Sequence, residues 1–212
     1  MNSVMKAWAD LPPILADRLM ALLTAPGRVH HGLHHTNQLL LDADRFCEPH
    51  WLRPLRWAIL YRDAVHDPLA SAAANAQASS ELWVEHFSAI HETVRNVSGQ
   101  WEHEVAAAIL ADPFARGDDL LPWQHALLDL GLGGLGATPE LYEATRLLAS
   151  SEFMMAGGTN WASRRGPFLE RALACPRLFT RVHGDREVQA RANMSREVTT
   201  LAKREDATPA RS

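Results

Sequence analysis

Cysteine is scarce in this sequence. The chain of 212 residues contains two, Cys47 and Cys175, which stand far apart and in no spacing typical of metal ligands. A disulfide framework needs closely organised cysteines, so this composition predicts none and favours a reducing, cytoplasmic location.

Long apolar runs are missing as well. No run of about 18 uninterrupted apolar residues occurs, so we expect no membrane span. The apolar stretch near the N-terminus contains Asp10, Asp17 and two prolines, which is not typical of a signal peptide. We therefore expect no membrane partner.

The sequence also lacks an excess of positive charge. Its 21 lysines and arginines face 25 aspartates and glutamates, which gives a formal net charge of −4. Proteins that bind nucleic acid usually carry a basic surface that neutralises phosphates, so we expect no nucleic-acid partner. Apolar residues make up 47% of the chain, which is enough for an ordinary globular core.

Alternating strand patterns do not occur, and apolar residues recur at helical spacing along most of the chain. Residues 54–67 predict a largely buried helix that ends before Pro68. The glycine-rich residues 133–137 predict a loop, and Thr138 a helix cap. Because no strand precedes these glycines, they do not indicate a dinucleotide site.

These patterns together predict an all-α protein. We expect a single helical bundle of about 8–9 helices over residues 1–203. Residues 204–212 are predicted to be a frayed tail. The alanine-rich residues 70–80 allow a close helix contact, either in the core or in a homodimer.

Histidine is concentrated in one short segment. His30, His31, His34 and His35 stand within six residues, although the whole chain has eleven histidines. Residues four apart share one face of a helix, so this segment can present two imidazoles together. Gly32 is a poor residue for a helix interior, which makes His35 the firmer helical position.

Carboxylates accompany another histidine further along the chain. Asp63 and His66 are three residues apart, and Asp129 directly precedes the glycine-rich stretch. Imidazole nitrogen combined with carboxylate oxygen suits a divalent metal such as Mn, Fe, Zn or Mg. The same residues are also typical of surface histidines and helix-terminal carboxylates, so the spacing alone leaves both interpretations open.

Six short segments stand in a fixed order along the chain. They are RVHHGLHH (28–35), YRDAVHDP (61–68), NAQASS (75–80), DLGLGGLG (129–136), SSEF (150–153) and ARANMSRE (190–197). In order and spacing they resemble the HD-domain superfamily, in particular its bacterial branch of metal-dependent HD phosphohydrolases. The resemblance runs from about Arg28 to the last helix.

This resemblance implies an HD-type helical bundle around a divalent metal ion. The metal ligands it implies are His35, Asp63 and Asp129, with His31 as a helper. A metal ion in such a site lowers the pKa of a bound water and polarises a phosphoryl oxygen. The implied activity is hydrolysis of a phosphorylated small molecule or a nucleotide.

The sequence departs from this family at positions that carry the chemistry. Arg62 replaces the histidine of the His-Asp pair, and arginine offers no lone pair to a metal. Ala76 replaces a glutamate, and Gly131 replaces the second aspartate of the D-x-D segment. The glutamate of the SSEF segment, Glu152, still fits and is expected to be structural.

Three outcomes are compatible with Arg62. His66 could supply the missing ligand nitrogen beside Asp63, as part of a rebuilt metal site. Arg62 could instead join Arg28 and Asn75 in a pocket for an anionic ligand, because guanidinium binds phosphate bidentately. Alternatively, Arg62 could form a salt bridge with Asp63 or Asp129.

Two functions follow from these outcomes. The first is a divergent metal-dependent hydrolase in which Asp63 and Arg62 take part in catalysis. The second is a non-catalytic binding module that keeps the HD bundle and binds an anion at Arg62.

Overall fold

The computed structural model describes residues 3–206, and the side chains of residues 3–203. Within this range the chain forms ten α-helices and no strand, so the all-α prediction is confirmed with slightly more helices than expected. The helices are α1 (Ser3–Ala9), α2 (Pro13–Leu23), α3 (Leu33–Phe46), α4 (Leu52–Arg62), α5 (Ala72–Thr93), α6 (Trp101–Leu110), α7 (Pro122–Leu132), α8 (Pro139–Met155), α9 (Trp161–Ala174) and α10 (Glu187–Asp206). Short 3-10 helices cover Pro49–Trp51, Gly133–Gly136 and Gly184–Arg186.

Helix α4 lies at the centre of the larger apolar cluster. Every residue from Pro54 to Tyr61 is buried, including Arg56, which donates to the Ser3 hydroxyl at 2.6 Å. A helix that is buried on all sides is a core helix, as the sequence predicted for this segment. The C-terminal end of α4 therefore lies in the interior of the bundle.

A smaller apolar cluster joins α9 and α10 to the end of α7. Leu169, Phe179 and Met194 are fully buried in it. Tyr142 of α8 packs against the same cluster, and its hydroxyl donates to the carboxylate of Glu197. This contact anchors the first turn of α8 and so helps to fix the direction of that helix.

The prediction of a helix over 54–67 is wrong at its C-terminal end, because α4 ends at Arg62. The Arg28 guanidinium donates to the carbonyls of Asp63 and Ala64. The Ser79 hydroxyl accepts from the N–H of Val65 and donates to its carbonyl, both at 3.1 Å. Since side chains from elsewhere satisfy these backbone groups, the segment needs no further helical hydrogen bonds.

The glycine-rich stretch forms a 3-10 helix where the sequence predicted a loop. A Cβ atom at Gly136 would lie 2.5 Å from the Cβ of Arg186, so only glycine permits this approach. Asn193 of α10 donates to the carbonyls of Leu135 and Ala137, at 2.8 and 2.9 Å. The predicted cap at Thr138 is confirmed, since its side chain accepts from the first turn of α8.

Helix α10 continues to Asp206, past the predicted domain boundary at residue 203. The remainder of the predicted tail, residues 207–212, lies outside the described residues. None of the helices in the described range is both long and apolar enough to cross a membrane.

Candidate metal centre

Three segments that are remote in sequence bring His31, His66 and Glu152 together. His31 precedes α3, His66 follows α4, and Glu152 lies in the last turns of α8. Each residue offers one ligand atom, and these atoms all lie within 4.8 Å of one another. Two imidazoles and one carboxylate could hold a metal ion.

Glu152 organises the group. Its Oε1 lies 2.6 Å from His31 Nδ1 and 2.9 Å from His66 Nε2. Its Oε2 accepts from the backbone N–H groups of His30 and His31, at 2.8 and 3.1 Å. Burial raises the pKa of Glu152, but the hydrogen bond from His31 and the nearby His66 nitrogen outweigh this and hold the pKa well below the usual range. The buried side chain is therefore a carboxylate with one oxygen directed at both imidazoles.

His66 Nε2 is the ligand atom of this group that lacks a hydrogen-bond partner among the described residues, although it lies 2.9 Å from Glu152 Oε1. The His66 and His31 rings lie face to face at a tilt, with centroids 4.1 Å apart. A buried nitrogen without a hydrogen bond is costly. A metal ion at this point would satisfy Nε2 by taking its lone pair, with the ring proton on Nδ1.

The other ring nitrogen of His66 faces Asn75. The Asn75 Nδ2 atom lies 3.5 Å from His66 Nδ1 and donates more closely to the carbonyl of Asp67, at 2.9 Å. Asn75 Oδ1 accepts from the N–H of the same aspartate at 2.9 Å. Asn75, predicted to bind a ligand, therefore holds the turn after α4 and presents a weak donor to Nδ1.

His30 and His35 extend the group of imidazoles. Their ring centroids lie 5.4 Å apart, and that of His35 lies 6.2 Å from His31. Burial lowers the pKa of His35 to about 4, against a smaller opposing effect of Asp63. Burial and the neighbouring His31 lower the pKa of His30 to about 3. Both imidazoles are thus neutral near pH 7 and keep one lone pair each.

Asp63 is paired with Arg62. It forms the C-cap of α4, and its Oδ2 lies 3.3 Å from Arg62 Nε. Burial raises the pKa of Asp63, but the charge of Arg62 and the imidazoles of His31 and His35 outweigh this and lower it well below the usual range. Of the three outcomes left open by the sequence, the structure has the salt bridge to Asp63.

Gly131 makes the room for Arg62. A Cβ atom at this glycine would lie 2.0 Å from Arg62 Nη1 and 2.7 Å from its Cζ. Nη1 also approaches the carbonyl of Leu127, at 3.4 Å. Two positions at which the sequence departs from the HD pattern are therefore in direct contact, and a side chain at residue 131 would displace the guanidinium of Arg62.

Asp129 does not join the metal-ligand group. Its Oδ1 accepts from Arg116, and its Oδ2 accepts from the backbone N–H groups of residues 180, 181 and 182, at 2.9, 2.6 and 2.9 Å. The side chain is fully buried. A metal ion would have to displace these donors, so the geometry gives Asp129 a structural role in place of the predicted ligand role.

Arg28 also has a different role from the predicted one. Its guanidinium donates to the carbonyls of Leu22, His31 and Ala64, at 3.1, 3.0 and 2.9 Å, and to that of Asp63. A guanidinium has five N–H donors, and these carbonyls use them. The predicted anion pocket therefore lacks the N–H donors of this arginine, which instead fix the segments that carry His31 and His66.

Glu152 is the ligand candidate that the sequence did not reveal. The SSEF segment marked it only as a structural residue, because no nearby histidine or aspartate suggested a site. Its partners are 121 and 122 residues away in the chain, a separation over which no sequence spacing predicts contact.

A cavity of about 300 Å³ opens beside His66 and Glu152. It is bounded by the turn after α2, the turn after α4 and the end of α8. His66 thus lies in a pocket wall.

No protein-family model, curated protein or solved structure in the comparisons matches this chain. The likeness to the HD-domain superfamily therefore stays a prediction from the motifs.

Proposed function

We propose that this protein is a metal-dependent hydrolase whose metal ligands are His31, His66 and Glu152. The observation that carries the proposal is the convergence of these ligand atoms around a buried His66 nitrogen that lacks a hydrogen-bond partner. Two histidines and one carboxylate are a ligand set of catalytic zinc and related sites, in which a further position is left for water.

The donor set favours certain metals. Two imidazole nitrogens suit Zn, Mn or Fe, whereas Mg prefers a shell of oxygen atoms. When bound, such an ion lowers the pKa of a water molecule and polarises a phosphoryl oxygen, which supports hydrolysis of a phosphorylated small molecule. The HD-like motif order supports the same reaction class.

The surrounding residues have separate roles in this proposal. Asp63 stays ionised and offsets the positive charge of Arg62 beside the proposed metal ion. His30 and His35 are neutral near pH 7 and can accept a hydrogen bond from water. Because the pKa of Asp63 is low, it is a weak general base, and its contribution is electrostatic.

The alternative, a non-catalytic module that binds an anion at Arg62, has less support. Arg62 is already paired with Asp63, and the N–H donors of Arg28 are already used by backbone carbonyls. An anionic ligand would have to break these contacts before it gained any of its own.

Metal content of the purified protein tests the proposal. We expect about one equivalent of Zn, Mn or Fe after incubation with the metal and removal of excess. His66→Ala should lose most of it. His34→Ala is the matched control, because His34 lies in the same histidine segment but is exposed and outside the ligand group. Less than about a tenth of an equivalent in the parent protein would contradict the proposal.

Activity is a separate measurement. The metal-loaded protein should release phosphate from a panel of phosphate monoesters, and a chelator should abolish the release. Full metal occupancy without any phosphate release would leave a metal-binding protein and would argue against the hydrolase.

A further inference from the structure

We propose that the cavity beside the candidate metal centre binds an apolar organic group, so that the substrate is a phosphate ester of an apolar alcohol or phenol. This inference rests on the proposed function and makes its substrate class narrower. It excludes nucleotides and sugar phosphates, which have polar groups around the phosphate.

The lining of the cavity carries the first part of the argument. Most of its wall consists of apolar side chains, among them Leu22, Ala25, Val65, Pro68 and Met155. Apolar walls favour apolar ligand groups because contact removes both surfaces from water. A ribose or a nucleobase would lose hydrogen bonds to water on entering this wall.

The polar residues of the wall strengthen the argument, since they are already occupied. Among the described residues that line the cavity, only Arg28, His66 and Glu152 have polar side chains. Arg28 donates to backbone carbonyls, and Glu152 accepts from the N–H groups of residues 30 and 31. The nitrogen left over is His66 Nε2, which is assigned to the metal.

The position of the cavity fixes the orientation of such a substrate. His66 and Glu152 belong both to the ligand group and to the cavity wall. A phosphate held by a metal ion at this group would lie at the cavity wall, with room for its ester substituent in the apolar cavity. The volume of about 300 Å³ lies at the small end of ligand pockets, which fits a ring system or a short chain.

Met155 adds adaptability at the rim. Its side chain is 57% exposed, although it lines the cavity. A thioether side chain with three rotatable bonds can adjust to groups of different shape.

The test compares 1-naphthyl phosphate with ribose 5-phosphate on the metal-loaded protein, by calorimetric titration. We expect the naphthyl ester to bind at least about tenfold more tightly, because it buries apolar surface in the cavity. Equal affinity for the two esters, or tighter binding of ribose 5-phosphate, would overturn the inference.

A cavity-filling variant tests whether the cavity causes the preference for the naphthyl ester. Ala156 lines the cavity at the end of α8, and Ala156→Trp should abolish the preference for the naphthyl ester while metal content stays unchanged. Ala144→Trp is the matched control, because Ala144 is an exposed residue of α8 that does not line the cavity. A preference that survives Ala156→Trp would also overturn the inference.

Naphthalene without a phosphate separates this inference from the proposed function. We expect it to shift amide resonances around the cavity in metal-free parent protein and in Ala144→Trp, but not in Ala156→Trp. If the protein takes up no metal, the proposal of a hydrolase is wrong, whereas naphthalene binding still supports the inference that the cavity binds an apolar group. If metal binds and naphthalene shifts no resonances, the cavity inference fails and the hydrolase stands.

Discussion

The guanidinium of Arg62 occupies the space in which a side chain at Gly131 would begin, 2.0 Å from the ideal Cβ position. Helix α4 supplies the arginine and helix α7 supplies the glycine, so the two residues hold the helices at a close approach. The fixed cation neutralises Asp63, which would otherwise be a partly buried and unpaired carboxylate.

Gly131→Ala should therefore destabilise the fold. The added methyl group overlaps Arg62 Nη1, so the guanidinium must move away and weaken its contact with Asp63. We expect a loss of about 1–3 kcal/mol in the free energy of unfolding, measured by urea denaturation. Gly134→Ala is the control, because its Cβ would meet Thr145 at an ordinary 4.0 Å. Equal stability of the two variants would contradict this account.

Asn75→Asp should increase metal affinity. A histidine that binds metal through Nε2 carries its proton on Nδ1 and usually donates it to a carboxylate or carbonyl. In this protein Asn75 presents a donor at 3.5 Å from Nδ1. An aspartate would present an acceptor, and we expect about a tenfold lower dissociation constant for Zn in a competition titration. Asn75→Ala, which supplies no acceptor, should not tighten binding; a gain in that variant would exclude this mechanism.

Asp129→Asn should separate stability from metal binding. The substitution removes the charge that pairs with Arg116, whose side chain is largely buried. Loss of one partner from a buried pair costs about 3 kcal/mol, and we expect a matching fall in the free energy of unfolding. Metal content measured well below the melting temperature should not change. Loss of metal from the folded variant would restore Asp129 as a ligand.

His183 should make the fold sensitive to mild acid. The residue is 5% exposed, and neither ring nitrogen has a hydrogen-bond partner among the described residues. Burial lowers its pKa, and the charge of Arg186 adds to this effect against the weaker influence of Asp42, Asp129 and Asp185. The unfolded chain therefore binds a proton at this histidine more readily than the folded chain does. The contribution of His183 to the free energy of unfolding is complete above its unfolded pKa of about 6.5, and it falls as the pH decreases below that value.

His183 should contribute up to about 1.4 kcal/mol per pH unit to the slope measured by urea denaturation between pH 7.5 and 5. This is in addition to the contributions of His30 and His35, whose pKa values are also lowered. His183→Asn should flatten this slope, and asparagine tolerates the backbone of this residue, which has φ of 62°. His103→Asn, at an exposed position of α6, serves as the comparison and should keep the slope. A slope unchanged in His183→Asn would assign the acid sensitivity to other groups.

Much of the fold could be predicted because it depends on local patterns. Helical periodicity predicted the all-α class, and residues such as Thr138 predicted helix starts through contacts only a few positions away. The end of α4 could not be predicted in this way. It depends on Arg28 and Ser79, whose side chains reach the turn from other segments and satisfy its backbone groups.

The candidate site was predicted in part for the same reason. The histidine segment and His66 stand out by composition, and the structure brings His31 and His66 together. Glu152 and Asp129 exchange their expected roles, since one carboxylate meets imidazoles and the other meets Arg116 and backbone donors. Residue type alone cannot distinguish these environments, because both carboxylates are buried on helices.

The two oxygens of Glu152 divide their contacts between imidazole side chains and the backbone of residues 30 and 31. An ion held by this carboxylate would therefore also restrain the main chain ahead of α3. The amide protons of His30 and His31 should exchange with deuterium more slowly as the ion is added. Their exchange rates would therefore report whether the metal site is occupied.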